Sequence, residues 1–409
     1  MINKEKKGKS PFFFCLILLK VLRNSDIYNK IKEESVRRKS LKRFIKNHPF
    51  WTAFLTVFLL CAILLLLFTL SRPFADGYST TVGVFFRLLL GGITSIFPFS
   101  LFEVLCAAGV LYLLFCLGLL ARFSVFRMRK KACRPILPFL LVIPITLFSV
   151  FDFFVLGFAA SYFRTAVSDE MQLPMEEVDK EAVFYALEAL CDIVNETAPS
   201  LEKNEKGESL APELSQTKEK VTKACNDFGD NNPFFQSFGF DAKNFLSSKL
   251  MTYTHISGVY GFFTGEANIN TNYPHFIVTA SIAHESCHAR GIGPENECNF
   301  LAAAILLESE DPYLRYCGAA YILDDFLDIC AEIDKTRAKE ITKDLDPVFA
   351  RDYAAYALFF KPYRNSTASK VANTANNAYL NAMGQEDGTL SYSRIIRLVS
   401  AYFQKDITA

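Results

Sequence analysis

Ala283-His284-Glu285-Ser286-Cys287-His288-Ala289-Arg290-Gly291, followed by Glu295-Asn296-Glu297-Cys298-Asn299-Phe300, is the stretch on which the reading of this chain turns. On a helix, His284 and His288 leave the same face one turn apart. Two imidazoles at that spacing can share one Zn2+, and Glu285 reaches a water bound to the same ion. A catalytic zinc needs a third protein ligand and one open position. The third ligand has to follow a break, because a straight helix carries later residues away from the metal. Gly291, Gly293 and Pro294 supply that break. Glu295 and Glu297 lie just beyond it. Glu295 and Asn299 are four apart and share a helix face, so Glu295 as ligand sets Asn299 to hydrogen-bond a ligating histidine. Glu297 is the alternative ligand, and either acid would also stabilise a helix N-terminus.

Other residues near this motif offer less. His255 and His275 are candidates for steadying an oxyanion, against a plain surface or core role. Cys287 points away from the histidine face, and Cys298 adds a thiol beside it. Gly265-Glu266-Ala267-Asn268 closes a strand just ahead of the motif, where an extended substrate could pair with its edge. The six cysteines beyond residue 161 contain no Cys-x-x-Cys pair, which argues against thiolate zinc sites and thioredoxin-like redox chemistry.

The rest of the chain divides by composition. Of 409 residues 51% are hydrophobic and 40 are phenylalanine, too apolar for an ordinary soluble protein. Phe50 to Leu70 carries no charge and is long enough to cross a bilayer. Leu101 to Ala121 and Ile136 to Ala160 are two further candidate spans. Residues 80–99, broken by Arg87, Gly91, Gly92 and Pro98, read as a re-entrant or interfacial hairpin. Basic clusters at Lys30 to Lys46 and Arg122 to Arg134 mark both segments as cytoplasmic. Residues 1–161 hold 22 basic and 7 acidic side chains; the remainder holds 22 basic and 36 acidic. The near-neutral total is a cancellation, and neither half suggests nucleic acid. The expected domains are a basic cytoplasmic tail over 1–49, a membrane region of three helices over 50–160, and an extracytoplasmic domain over 161–409.

In that last domain, apolar periodicity predicts helices over 176–193, 212–228, 276–290, 294–310, 312–330, 331–343, 346–360, 368–383 and 392–403. A strand with a turn is predicted over 256–270. The expected fold is an α-helical membrane segment joined to a mainly-α (α+β) domain with a small β-sheet.

Several blocks carry a family resemblance: Ser161-Tyr162-Phe163-Arg164-Thr165, Ser257-Gly258-Val259-Tyr260, Phe263 to Asn270, the histidine motif, Asn376-Asn377-Ala378-Tyr379-Leu380 and Tyr392-Ser393-Arg394. With them the chain resembles a group of uncharacterised bacterial membrane proteins, a domain of unknown function with a zincin-like His-Glu-x-x-His core. That group usually has alanine where Cys298 stands. The pattern is also similar to membrane-bound gluzincin peptidases, whose third ligand is a glutamate four positions before an aspartate. Glu295 matches that glutamate, and Asn299 takes the place of that aspartate. The resemblance implies a zincin-like fold and peptidase chemistry. The expectation is therefore a multi-pass membrane zinc metallopeptidase, with a peptide or protein substrate and the lipid bilayer as partners. The rival expectation is a non-catalytic sensor or scaffold with a vestigial or structural zinc site. Oligomeric state is left open.

Overall fold

A computed structural model describes residues 47–127, 137–383 and 389–408. The basic tail before residue 47 and most of the second basic segment lie outside these residues.

Helix α1 (Pro49–Leu70) opens on a proline, whose missing N–H costs a first turn nothing, and continues without a charged residue. At 1.5 Å per residue it is about 33 Å long, the thickness of a hydrocarbon core. Two short helices, α2 (Arg72–Thr80) and α3 (Val82–Thr94), follow. Residues 80–99, expected as a hairpin, are thus mainly the helix α3. Then come α4 (Leu101–Arg127) and α5 (Leu137–Gly157). Among the described residues two helices are long and apolar enough to span a membrane, Pro49–Leu70 and Leu101–Arg122, while Leu141–Gly157 is a shorter apolar helix. The ring contacts Phe54–Phe148 and Phe58–Phe151 advance in step, so α1 and α5 run parallel. Helix α4 runs the opposite way, from its first turn beside Glu266 and Leu246 toward the start of α5, where the Tyr112 hydroxyl donates to the Phe139 carbonyl (2.7 Å).

The remaining chain is mainly helical. Helices α6 (Lys180–Thr197), α7 (Leu214–Asn231), α8 (His275–Ala289), α9 (Glu295–Leu307) and α10 (Pro312–Ile341) share one apolar core. The helices α11 (Pro347–Phe360) and α13 (Thr389–Thr408) complete it, while α12 (Thr367–Ala382) packs Tyr379 against a smaller core. Helix α8 is surrounded by α7, α9, α10 and the sheet, so its apolar residues are not confined to one stripe. The two helices expected over 312–330 and 331–343 are one element with a kink at Asp334 (φ −153°, ψ 97°). There the Asp334 carboxylate accepts from the Thr336 and Arg337 N–H groups, as a cap does at a helix start.

The sheet has three strands in the order β1-β3-β2, with β1 (Lys243–Asn244), β2 (Gly258–Gly261) and β3 (Glu266–Ile269). β3 is central, parallel to β1 and antiparallel to β2. At the β2–β3 turn Gly265 (φ +70°) presses on α3, where a Cβ would lie 2.5 Å from the Gly91 nitrogen. A second, smaller core joins Cys61 and Phe68 of α1, Ala75 of α2, Phe154 and Val155 of α5, and Tyr260 of β2. The apolar helices and the motif-bearing domain are therefore packed into one body.

Candidate functional site

Helix α8 ends at Ala289 because Gly291 takes a left-handed conformation (φ +93°). The Gly291 N–H donates to the His288 carbonyl (3.0 Å) and the Ile292 N–H to the Cys287 carbonyl (3.2 Å). Pro294 then starts α9 and returns the chain, which carries Glu295 back to the histidines. Two arginines support this turn. Arg164 donates to the Gly291 carbonyl (3.0 Å), and the Arg87 guanidinium lies 2.6 Å from where a Gly291 Cβ would stand.

His284 Nε2 is 3.2 Å from one oxygen of Glu295, and His288 Nε2 is 3.6 Å from the other. Ligand atoms of all three lie within 4.8 Å of one another. Tetrahedral zinc with bonds near 2.1 Å separates its ligands by about 3.4 Å, so the spacing suits one shared ion. His288 Nδ1–H donates to the Ile292 carbonyl (2.9 Å), which leaves Nε2 facing Glu295. Burial alone would lower the His288 pKa, but the Glu295 charge overrides it and lifts it to about 9. For Glu295 partial desolvation is outweighed by His288 and His284, which hold its carboxyl well below the usual range.

Glu285 is 4% exposed. It accepts from the Tyr260 backbone N–H, off the free edge of β2, and its Oε2 has no protein partner. Burial pushes its pKa up to about 7, against the pull of both histidines. A buried carboxylate oxygen without a donor is costly in a finished core but serves an incoming water or substrate. Gly258 makes this packing possible, since a Cβ there would sit 2.5 Å from Glu285 Cγ. Gly258→Ala is therefore expected to displace Glu285 and to lower stability by about 1–3 kcal/mol, the usual effect of overpacking, read as a fall in Tm.

A cleft of about 530 Å³ opens over these residues. Ser257 to Tyr260 line it, as do Ala372, Asn373, Asn376 and Tyr379 of α12. Tyr162 and Tyr379 also line it, and their hydroxyls are 2.9 Å apart. Burial raises both phenol pKa values, with Glu295 adding to the effect. Two hydroxyls sharing one hydrogen bond leave one phenolic proton to spare. The sequence reading assigned neither tyrosine a role, although both fall in blocks that carried the family resemblance.

Several expected roles are corrected. Gly265-Glu266-Ala267-Asn268 does not offer a substrate edge, because Asn268 is paired on both sides, by β1 and β2, and Glu266 and Ala267, paired with β2, are buried. The edge beside Glu285 belongs to β2. Glu266 instead pairs with Lys243 (2.7 Å) and accepts from the Leu101 and Phe102 N–H groups, fastening the start of α4. Glu297 stands away from the histidines and accepts from the Val167 N–H (3.2 Å), and burial raises its pKa to about 7. Asn299 lines the cleft, but its Oδ1 accepts from Tyr321 (2.9 Å); the carbonyl holding His288 is that of Ile292.

His275 is a core residue whose Nε2–H donates to the Ser209 carbonyl (2.9 Å), while Nδ1 meets the Tyr313 hydroxyl. His255 borders the cleft with Nε2 2.8 Å from the Tyr363 carbonyl. Cys298 Sγ lies 3.3 Å from His288 Nδ1, behind the ring, and its buried thiol is pushed well up. The six cysteines of this domain are free and buried.

A family model described as "Protein of unknown function (DUF3810)" matches residues 78–400. No curated protein and no solved structure matches the chain.

Proposed function

From a chain that belongs to this family of unknown function, we propose an integral membrane zinc metallopeptidase acting outside the cytoplasmic membrane. The convergence of His284, His288 and Glu295 beside the partnerless oxygen of Glu285 carries this reading. His284, His288 and Glu295 are the residues that would hold the zinc, in a zincin-like arrangement. Bound there, the ion supplies Lewis acidity and brings a water's pKa toward neutrality. Glu285 takes the proton of the attacking water and passes it to the leaving amine. The spare phenolic proton of the Tyr162–Tyr379 pair is available to the developing oxyanion. An extended peptide pairs with the free edge of β2, in the cleft that Asn373 and Asn376 also line. The parallel course of α1 and α5, with α4 reversed, supports gathering both basic segments on one side of the membrane.

The test is metal analysis and peptide-library hydrolysis on the purified full-length protein. We expect about one zinc per chain, hydrolysis abolished by chelation, and recovery when zinc is returned. Stoichiometric zinc without turnover of any peptide would favour the sensor or scaffold instead.

A further inference from the structure

The metal cluster stands on the apolar helices themselves. The His288 ring is 5.9 Å from that of Phe158, the residue immediately after α5. Phe154, one turn earlier on α5, packs at 5.3 Å on Phe262. Phe158 and Phe262 both line the cleft. No stalk separates the last turn of α5 from the ligands.

Helix α3 shows the same proximity from another side. Gly83, Arg87, Gly91 and Thr94 form its buried face. Arg87 lies against Gly291, in the turn that returns Glu295. The opposite face presents Val82, Phe85, Leu89 and Ile93, between 41% and 61% exposed. Their spacings of three, four and four make a continuous stripe on a helix. Ile96 (78% exposed) prolongs it toward α4. Beside the first turn of α4, Glu103 accepts from the backbone of Leu246 and Ser247, and Leu246 is 82% exposed. This bare apolar surface adjoins the start of a helix apolar enough to span a bilayer. That continuity names its occupant as lipid. The supporting turn and the lipid are then separated by one helix, about 10 Å across.

Resting on the peptidase reading above, we propose that the substrate is a membrane-anchored polypeptide, cut in the stretch just outside its anchor. A chain leaving the bilayer covers about 10 Å in roughly three extended residues, so the scissile bond is expected about three to eight residues from the anchor. Anchoring also raises the local concentration of such a chain at the cleft far above that of a free peptide.

The experiment places the full-length protein in phosphatidylcholine vesicles with one mixed-sequence reporter peptide in three forms. One form is free, one carries a palmitoyl anchor through a spacer of about four residues, and one carries it through a flexible spacer of about 20 residues. We expect the short-spacer form to be cleaved at least about tenfold faster than either other form. Equal rates for free and short-spacer peptides, or faster cleavage with the long spacer, would overturn the proposal and leave the peptidase reading intact. Zinc-loaded protein that cleaves none of the three would overturn both.

Discussion

Replacing Glu285 by glutamine is expected to lower kcat for peptide hydrolysis about 10³-fold, within the range usual for loss of a general base, with zinc content unchanged. Glutamine has the same shape, and its carbonyl oxygen still accepts from the Tyr260 N–H that now reaches Glu285. What it lacks is a site for the proton of an attacking water. The packing against Gly258 leaves no room for another carboxylate to take over, since Glu285 fills that space to 2.5 Å of a virtual Cβ. Glu295 is engaged with both histidines, and Glu297 is turned to Val167. Steady-state hydrolysis with elemental analysis of the same sample is the measurement. A glutamine variant with full zinc and full activity would remove Glu285 from the reaction.

This prediction rests on the part of the site that was readable from local spacing. His284 and His288 fall on one face whatever the tertiary fold, and a glycine with positive φ followed by proline ends one helix and starts another in any context. Both rules act within a few residues, so the return of Glu295 toward the histidines follows from local sequence. Roles fixed by distant partners were hidden. Tyr162 and Tyr379 meet across 217 positions, and nothing in either local sequence marks the encounter. β3 is central only because β1, two residues long, pairs with it in parallel; a strand that short carries no pattern. The backbone carbonyl of Ile292, which orients His288, has no signature because every residue has one. Arg87 interrupted an apolar run and suggested a break in it. The helix continues because the guanidinium is satisfied on its buried face, by the carbonyls of Ser79 and Gly157 and by Gln236.

The choice between Glu295 and Glu297 gives the second large effect. Loss of a partner outside the coordination sphere weakens metal binding by about 10–100-fold, and removing a direct ligand costs more. Glu295→Ala is therefore expected to weaken zinc binding by more than about 100-fold, read by competition with a chromophoric chelator. A metal that binds only a folded site stabilises it according to the ratio of free metal to Kd, so any rise in Tm on adding zinc is expected to be smaller in this variant. Glu297→Gln keeps an acceptor for the Val167 N–H and stands off the His284–His288 face, so zinc affinity should be unchanged. The two variants differ by two positions on one helix turn, which makes general disruption of α9 a poor explanation for opposite results. Zinc lost in Glu297→Gln but held in Glu295→Ala would exchange the assignments and break the geometric argument, since Glu297 would have to leave a buried contact to reach the imidazoles.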